Sequence, residues 1–351
     1  MSKILYTFLA TFLFCSLSQG NSEKLETVAQ SQFAMNGVAI TTDKRIFVSM
    51  PQWTDQPSPS VGEVMSNGNV IAYPGNQWNK HSPNDAYNRF SNVNAVHTDT
   101  NNNLWVVDYA APFWTKPIKD SQKLVKINTS TNEVERVYRF AENILPTGAK
   151  LNDVRIDLNK KVAYISEFGI GALIVVDLNT GKARRLLDKH FSARAHPDVV
   201  TYFEGKPFRT DFLHLNDIEL DNQGRHLYYQ PTGGPVMYRI NTDYLLDETL
   251  NADQLAQHVE VYSKSLTIGG ITKDKNNRLF LGNVQDKAIT IIKQGKIVGN
   301  LVQDDRLLWP DAMDVHDNYL YIPCPQLKLL AKMNDGISKV RGKFTVYRYP
   351  L

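Results

Sequence analysis

The stretch from 151 to 166, LNDVRIDLNKKVAYIS, returns in nearly the same form from 215 to 230, as LNDIELDNQGRHLYYQ. Each copy places Leu-Asn-Asp before a segment of alternating residues. A polar turn and a second strand of β-branched and aromatic residues follow. This order is typical of a β-hairpin. A hairpin that occurs twice with the same internal order predicts a repeat architecture.

The hairpin phrase occurs six times along the chain. The copies are NGVAITTDKRIFVSM from Asn36, NAVHTDTNNNLWVVD from Asn94, NDVRIDLNKKVAYISE from Asn152, NDIELDNQGRHLYYQ from Asn216, GGITKDKNNRLFLGN from Gly269 and PDAMDVHDNYLYIPC from Pro310. Most copies are followed by two further strand-like segments, such as LIVVDL and KARRLL between 173 and 187. The sequence therefore predicts an all-β fold, a six-bladed β-propeller with four-stranded blades around a central channel.

Two other folds explain the pattern less well. A pair of β-sandwiches also contains many hairpins, but it does not account for one phrase repeated in the same order. An α/β barrel needs helices between its strands, and only a short helix near 243 to 256 is indicated. We expect the segment 24–31 to pair with 344–350 and complete the last blade, which removes exposed sheet edges.

The first twenty residues, MSKILYTFLATFLFCSLSQG, combine a positive start, an apolar run and small residues near the end. They predict a secretory signal peptide over 1–20, with a single propeller domain over 21–351. A membrane anchor is the alternative, although the apolar run is shorter than a bilayer span. We expect a secreted or periplasmic protein that leaves the membrane after cleavage and in which Cys324 has no intrachain disulfide partner.

The formal net charge is +3, and the basic residues are dispersed along the chain. Such a charge gives no support to nucleic-acid binding. We expect a monomer whose partner is a small molecule. The sequence contains no Gly-x-Ser-x-Gly, reactive-cysteine or phosphate-loop motif, so any catalysis should use a metal or a carboxylate with bound water.

The first residues of the six phrases should meet at one mouth of the channel, because the first strand of each blade runs beside it. Amide and carboxylate oxygens are ligands that Ca²⁺ prefers. The ring therefore predicts a ligand site and a divalent metal such as Ca²⁺, with Asn152, Asn216 and Asp311 as metal ligands. The predicted ligand-binding residues are Asn36, Asn94, Asn152, Asn216, Trp309 and Asp311.

A purely structural role explains the same residues. Asn and Asp before a strand often satisfy backbone groups through local side-chain turns. If the protein is an enzyme, the candidate catalytic residues are Asp153, Asp217 and Asp311.

Aromatic residues and histidines near the predicted mouth leave alternatives open. Trp309 precedes Pro310 and is predicted to stack on a ligand. Trp53 is either part of a lid or a packed side chain in a loop. His97 faces the pore if its hairpin has the register of the others, whereas the histidines between 188 and 214 lie in or beside a long loop.

Several longer motifs resemble the major royal jelly and Yellow protein family, in order from about residue 33 to the end. They are RIFVSMPQW at 45 to 53, NLWVVDYA at 103 to 110, VAYISEFGIGALIVVDLNTGKARRLL at 162 to 187, GRHLYYQPTGGPVMYRI at 224 to 240 and LLWPDAMDVHDNYLYI at 307 to 322. The resemblance implies a six-bladed propeller, an extracytoplasmic location and a small-molecule site at the channel mouth. Bacterial members are often labelled dopachrome-tautomerase-related, and insect relatives convert dopachrome or bind biogenic amines.

The chain is more distantly similar to the senescence-marker and gluconolactonase propellers, which hold a divalent metal with a Glu, two Asn and an Asp. By repeat order, Asn152 and Asn216 match the two Asn. Asn36 and Gly270 stand where the family has its carboxylates. Asp311 lies in a similar phrase one blade later, and Asp153 or Asp217 could restore the charge.

Three functions remain open from the sequence. The first is isomerisation of a small cyclic or aromatic substrate at the channel mouth, as in the dopachrome-tautomerase-related proteins. The second is non-catalytic binding of a small amine or related ligand. The third is metal-dependent hydrolysis of a lactone. The fold alone does not decide among them, because propellers host hydrolases, binders and scaffolds.

Overall fold

The computed structural model describes residues 22–54, 56–80 and 82–351. In this part of the chain the strands form six four-stranded antiparallel sheets and one two-stranded hairpin. The predicted signal peptide, 1–20, lies outside the described residues. Among the helices of the described part, none is long and apolar enough to cross a membrane.

The six sheets are the blades of the predicted β-propeller, and the two α-helices confirm the short helical region expected near 243 to 256. In chain order the elements are β1 (Glu26–Ser31), β2 (Gly37–Ile40), β3 (Ile46–Ser49), β4 (Val61–Val64), β5 (Val70–Ala72), β6 (Val93–Thr98), β7 (Asn103–Asp108), β8 (Lys123–Asn128), β9 (Glu133–Arg139), β10 (Leu151–Asp157), β11 (Val162–Glu167), β12 (Ala172–Asp177), β13 (Ala183–Leu186), β14 (Val200–Phe203), β15 (Lys206–Arg209), β16 (Leu215–Leu220), β17 (His226–Pro231), β18 (Val236–Asn241), α1 (Thr242–Leu246), α2 (Ala252–Ala256), β19 (Glu260–Lys264), β20 (Ile268–Lys273), β21 (Leu279–Asn283), β22 (Ala288–Lys293), β23 (Lys296–Gln303), β24 (Asp314–His316), β25 (Tyr319–Cys324) and β26 (Phe344–Pro350).

Consecutive strands build each blade from the channel outward. Blades 1 to 5 are β2–β5, β6–β9, β10–β13, β16–β19 and β20–β23. Blade 6 has the order β24, β25, β26, β1, and β14 and β15 form the separate hairpin. Short 3-10 helices lie in the connections, at Ser22–Lys24, Gln77–Asn79, Pro83–Asp85, Pro112–Trp114, Phe191–Ala193, Leu327–Leu329 and Ala331–Met333.

The ring is closed by the pairing of the first and last strands, as the sequence predicts. Strand β1 pairs antiparallel with β26, from Glu26 opposite Arg348 to Ser31 opposite Phe344. The outermost strand of blade 6 therefore comes from the start of the propeller. This pairing ties the two ends of the domain together and leaves no blade incomplete.

The hydrophobic core is divided among the spaces between neighbouring blades. Side chains of β7 and β11, which are buried throughout their lengths, pack between blades 2 and 3. Similar clusters join blades 3 and 4, blades 1 and 2, blades 5 and 6, and blades 4 and 5. Val346 of blade 6 and Val48 of blade 1 belong to the cluster that closes the ring.

A recurring aspartate explains why the first two strands of a blade form a hairpin. In blade 2, Asp99 accepts hydrogen bonds from the backbone N–H groups of Asn101 and Asn103, at 2.9 and 3.0 Å. Asp221 and Asp274 make the same bonds in blades 4 and 5. An Asp side chain that accepts from residues two and four positions later fixes a tight turn. The last Asp of phrases such as NDIELD therefore has a local structural function.

We expect Ala29→Asp to destabilise the protein strongly, because Ala29 is 1 % exposed within β1 and a buried carboxylate without a partner is costly. The free energy of unfolding, measured by urea denaturation, should fall by about 2–4 kcal/mol. Gln30→Asp, on the exposed side of the same strand, is the control and should change stability little. Equal stability of the two variants would show that β1 does not close the ring.

Candidate functional site

Three asparagines at one end of the channel hydrogen-bond from blade to blade. The side-chain N–H of Asn36 donates to the carbonyl oxygen of Asn94 at 3.2 Å. Asn94 donates to the side-chain oxygen of Asn152 at 2.7 Å, and Asn152 donates to the carbonyl oxygen of Asn216 at 2.7 Å. The repeated Asn thus joins blades 1 to 4. These bonds have a structural role, but between blades and not within the local turns considered from the sequence, and the role of the asparagines in ligand binding stays a prediction.

Blade 5 has Gly-Gly where blades 3 and 4 have Asn-Asp, and the structure gives the reason. A Cβ atom on Gly270 would lie 2.3 Å from the carbonyl oxygen of Asp311, and one on Gly269 would lie 2.4 Å from the carbonyl oxygen of Pro310. No side chain fits at that distance. The backbone that enters blade 6 therefore occupies the space that an Asn-Asp pair would need.

Three carboxyl groups lie beside the asparagine ring and affect one another. Burial raises the pKa of Asp217 well above its usual value, and the nearby Asp311 and Asp153 raise it further. Burial also raises the pKa of Asp311, although the backbone N–H of Ala312 and the indole of Trp309 donate to it. These carboxyl groups therefore bind protons more strongly than ordinary aspartates do.

Some buried oxygen atoms of the described residues in this region have no hydrogen-bond partner. They include the side-chain oxygens of Asn36 and of Gln230, which lies opposite Asp217, and one carboxyl oxygen of Asp217 itself. By contrast, the side-chain oxygen of Asn152 already accepts from Asn94. Within the described residues no group of three or more His, Cys, Asp and Glu side chains is arranged to hold a metal. The partner-free oxygens are available to bind a cation, whereas the side-chain oxygen of Asn152 already accepts a hydrogen bond and is less available. The predicted Ca²⁺ stays a prediction.

Trp309 lies beneath a hairpin instead of facing open solvent. Its side chain is 1 % exposed, and its indole packs edge-on against the ring of Phe208, with centroids 5.6 Å apart. Phe208 belongs to β15, and Glu204 in the turn of that hairpin pairs with Arg341 and Lys287. A ligand could stack on Trp309 only by displacing side chains such as Phe208.

Trp53 is a packed loop residue, which was one of the two interpretations open from the sequence. Its indole N–H donates to the hydroxyl of Tyr109 at 3.0 Å. Its ring stacks on Trp114, with centroids 4.9 Å apart. Trp53 is therefore fixed at the base of its loop and is not a lid over the channel.

The channel cavity opens at the end opposite the asparagine ring. Its volume is about 640 Å³, and its rim is formed by residues of the hairpin turns, including Asn222, Asn276 and Asn318. At the other end Asn36, Asn94, Asn152, Asp217 and Asp311 are all buried. The residues predicted to surround one mouth thus lie together at one end of the channel, but that end is covered, and solvent enters from the turn end.

Arg155 is the centre of the charged groups inside the cavity. Its guanidinium donates to the carboxylate of Asp153 at 2.9 Å and to the carbonyl oxygen of Ile271 at 3.1 Å. It also pairs with Glu219 at 3.2 Å, and the ammonium of Lys273 pairs with the other oxygen of Glu219 at 3.0 Å. Blades 3, 4 and 5 are therefore joined by ion pairs across the channel.

These ion pairs determine the charge of Glu219. Burial alone raises the pKa of a carboxyl group, but the positive charges of Arg155 and Lys273 outweigh burial here and lower the pKa of Glu219 to about 2. Glu219 is therefore ionised at any ordinary pH. Its charge neutralises part of the two cations, and Lys273, which is less buried than Arg155, lies nearer the open end.

Two more titratable groups line the same cavity. Burial, reinforced by the charge of Arg155, lowers the pKa of His97 to about 3. Burial raises the pKa of Asp314 to about 6, although its carboxylate accepts hydrogen bonds from the backbone N–H groups of Ile40 and Val315, both at 2.8 Å. The cavity therefore holds a neutral imidazole and a carboxyl group that titrates near neutral pH. Such a pair is suited to proton transfer.

The sequence pointed to His97 as a pore residue but not to Arg155, Glu219, Lys273 or Asp314. A signal for two of them was present: Arg155 and Glu219 occupy the same position of neighbouring phrases, in NDVRID and NDIELD, with opposite charges. Equivalent residues of adjacent blades face each other around the axis. The other histidines considered, such as His190 and His214, bond within the long loop before β16.

Fold and cavity together define a six-bladed propeller with a charged channel that is open at one end. The sequence matches the family described as major royal jelly protein over residues 91–348, so the chain belongs to that family. No significant sequence match is found among curated proteins.

Solved structures with the same fold have little sequence identity to the chain. A luciferin-regenerating enzyme has a TM-score of 0.59 at 10 % identity, with 93 % of this chain and 95 % of that chain covered. A gluconolactonase from Xanthomonas campestris has a TM-score of 0.58 at 11 % identity, covering 93 % and 89 %. A virginiamycin B lyase from Staphylococcus aureus has a TM-score of 0.56 at 9 % identity, covering 93 % and 99 %. At these identities the likeness shows the fold alone.

We expect Asp217→Asn to stabilise the protein at pH 8 by about 1–3 kcal/mol. Asp217 has a raised pKa in the folded state. As the pH rises, the Asp217 carboxyl group therefore loses its proton at a lower pH in the unfolded chain than in the folded protein. The stabilising contribution of the protonated group is present at low pH and is lost as pH rises towards the folded pKa. Asn removes that loss because it does not ionise.

Chemical denaturation of both proteins at pH 4 and pH 8 checks this prediction. The difference between variant and wild type should be larger at pH 8 than at pH 4. Asp198→Asn, at an exposed loop position, is the matched control and should show no such difference. A variant Asp217→Asn that is less stable than wild type at pH 8 would contradict the raised pKa.

Proposed function

We propose that the protein is an isomerase that moves a proton within a small cyclic, carboxylate-bearing substrate held in the channel cavity. The observation that carries the proposal is the presence of His97 and Asp314 in the same cavity as Lys273 and the Arg155–Glu219 pair. A cavity of about 640 Å³ is within the range of ligand pockets. Dopachrome, a cyclic compound with a carboxylate, has the required chemistry.

Charge recognition would come from Lys273. The guanidinium of Arg155 is already held by two carboxylates and a carbonyl oxygen, so it positions Glu219 and sets the local field. The ammonium of Lys273 has one carboxylate partner, Glu219, and retains N–H donors for a substrate carboxylate. This group would orient the substrate ring towards the interior of the cavity.

Proton transfer would use the two titratable groups. The carboxylate of Asp314, the stronger base of the two, takes a proton from a saturated ring carbon that is joined through double bonds to a carbonyl group, and the bonding electrons move through them to the carbonyl oxygen. The neutral imidazole of His97 donates its N–H proton to that oxygen. The substrate gains and loses one proton, so no oxidant or other reactant is needed. Asp314 then returns its proton to His97 through water, which restores both groups.

Catalysis by this route requires Asp314 to be ionised, so kcat/KM for dopachrome should rise as the pH rises through about 6. Asp314→Asn should remove this pH step and lower kcat by about a hundredfold, the usual contribution of a general base. His97→Gln should lower kcat by a similar factor. Both are measured by stopped-flow absorbance, with thermal melts to confirm folding.

Lys264→Met, on the exposed outer strand of blade 4, is the control and should leave the rate unchanged. Full turnover by His97→Gln would overturn the proton-transfer proposal. Binding of dopamine in a calorimeter without conversion of dopachrome would favour the non-catalytic binder of small amines.

A second candidate is metal-dependent lactone hydrolysis, and the two partner-free oxygens of Asn36 and Asp217 favour it. A divalent ion such as Ca²⁺ would be held by these oxygens together with Asp311, which lies beside Asp217. It would supply a Lewis acid for a lactone carbonyl. The structural likeness to a gluconolactonase concerns the fold and does not by itself support lactone hydrolysis.

Metal binding is checked by a thermal melt with and without a chelator, combined with elemental analysis. If an ion binds the folded state, adding Ca²⁺ should raise Tm, because a ligand of the folded state stabilises by mass action. The rise should be absent in Asp217→Asn. An unchanged Tm at millimolar Ca²⁺, in protein without bound metal, would remove this candidate.

The proposed site of action is outside the cytoplasm, in a secreted or periplasmic protein. An isomerase or binder of small aromatic compounds outside the cytoplasm fits the predicted signal peptide over 1–20. We further propose that the protein acts as a monomer on a free small molecule, since the channel cavity is built entirely from one chain.

A further inference from the structure

A second cleft lies beside blades 2 and 3, at the end of the molecule that carries the asparagine ring. Its volume is about 710 Å³. One wall is the loop from 114 to 122 and the other is the loop from 140 to 150, and the cleft shares no lining residue with the channel cavity. It is large enough for a drug-sized ligand.

One wall of the cleft is an aromatic ring fixed in advance. Trp114 lines the cleft and is half-buried. Its indole stacks on Trp53 at an interplanar angle of 26°, and Trp53 is held in turn by its bond to Tyr109. A flat ligand therefore meets a rigid aromatic surface, which reduces the conformational entropy lost on binding.

The loop that presents this ring has a strained backbone. Phe113 and Trp114 both have left-handed conformations, with φ of 55° and 53°. Residues other than Gly rarely adopt the left-handed backbone conformation. Backbone strain of this kind is often found at functional sites. Backbone hydrogen bonds from Phe113 to Gln52 and from Ile118 to Ala110, both 2.8 Å, hold the loop in place.

The floor of the cleft ties its two walls together. Gln122 donates from its side-chain amide to the carbonyl oxygen of Ala149 at 2.8 Å, and its side-chain oxygen accepts from the backbone N–H of Leu151 at 3.0 Å. Both loops are therefore fixed to β8 and β10. The cleft is pre-formed and does not depend on a ligand to assemble it.

One charged group of the cleft is half-buried, and it is an ammonium. Lys150 lines the wall, and within the described residues its ammonium makes no hydrogen bond or ion pair and lies 5.9 Å from the ring of Phe168. Burial lowers its pKa, and the negative charge of Glu167 acts in the opposite direction. Glu167 itself is paired with Arg185 at 2.9 Å. Lys150 is thus a cation that lacks an anion, inside a cleft with aromatic walls.

We propose that this cleft binds a small aromatic carboxylate, with its carboxylate against Lys150 and its ring between Trp114 and Phe140. Three lysines line the cleft, Lys116, Lys119 and Lys150, against two carboxylates, Asp120 and Glu142, so its formal charge is +1 and favours an anion over an amine. The planar face of Trp114 favours an aromatic ring over a flexible chain. The site is separate from the channel and needs none of the channel residues.

Calorimetry with 1-naphthoate and its neutral analogue 1-naphthamide tests the proposal on the full chain. The protein should bind 1-naphthoate at least about tenfold more tightly than 1-naphthamide, since only the former pairs with Lys150. Lys150→Met should weaken 1-naphthoate by about tenfold and leave 1-naphthamide unchanged. Trp114→Ala should weaken both compounds.

A control variant distinguishes binding in this cleft from attraction to surface charge in general. Lys206→Met, an exposed position on β15, should leave binding unchanged. Absence of 1-naphthoate binding up to millimolar concentration would overturn the proposal. Equal affinity for the two compounds, or 1-naphthoate binding that is unaffected by Lys150→Met, would also overturn it.

Discussion

The packing of each blade against its two neighbours is the constraint on which the rest of the structure depends. Strands such as β7 and β11 are buried throughout, which is possible only when both faces of a sheet are covered. In a propeller the coverage comes from adjacent blades, so every core is shared between two of them. The ring must therefore close, and the pairing of β1 with β26 closes it.

Closure also explains the chemistry inside the channel. Equivalent positions of neighbouring blades are brought together around the axis, so Arg155 of blade 3 meets Glu219 of blade 4. Buried charges are tolerated only when they are paired, and these two are. Asp217, Asp311 and Asp314 have raised pKa values, which is typical of functional sites.

Much of the fold could be predicted because the sequence signals that specify it are local and are repeated along the chain. The hairpin phrase gives six blades, the turn aspartates such as Asp221 specify its geometry, and the two terminal segments have strand patterns that fit each other. The candidate site was predicted in part. The asparagines do lie together at one end, but as a hydrogen-bonded ring whose side chains are buried. Trp309 is covered by Phe208, because the hairpin of β14 and β15, between blades 3 and 4, packs over it. The repeated phrases contain no signal that predicts this contact.

By itself the sequence determined the number of blades, the order of strands and the asparagines that gather at one end of the channel, because these depend on periodicity along the chain. Only the tertiary structure decided which end of the channel is open and which charged groups meet inside it. It also decided that Lys150 lies in a separate cleft with Trp114. These features depend on long connections that fold over one end of the propeller and on side chains far apart in sequence. The positions of these connections and side chains follow from packing in three dimensions, so no periodic sequence pattern predicts them.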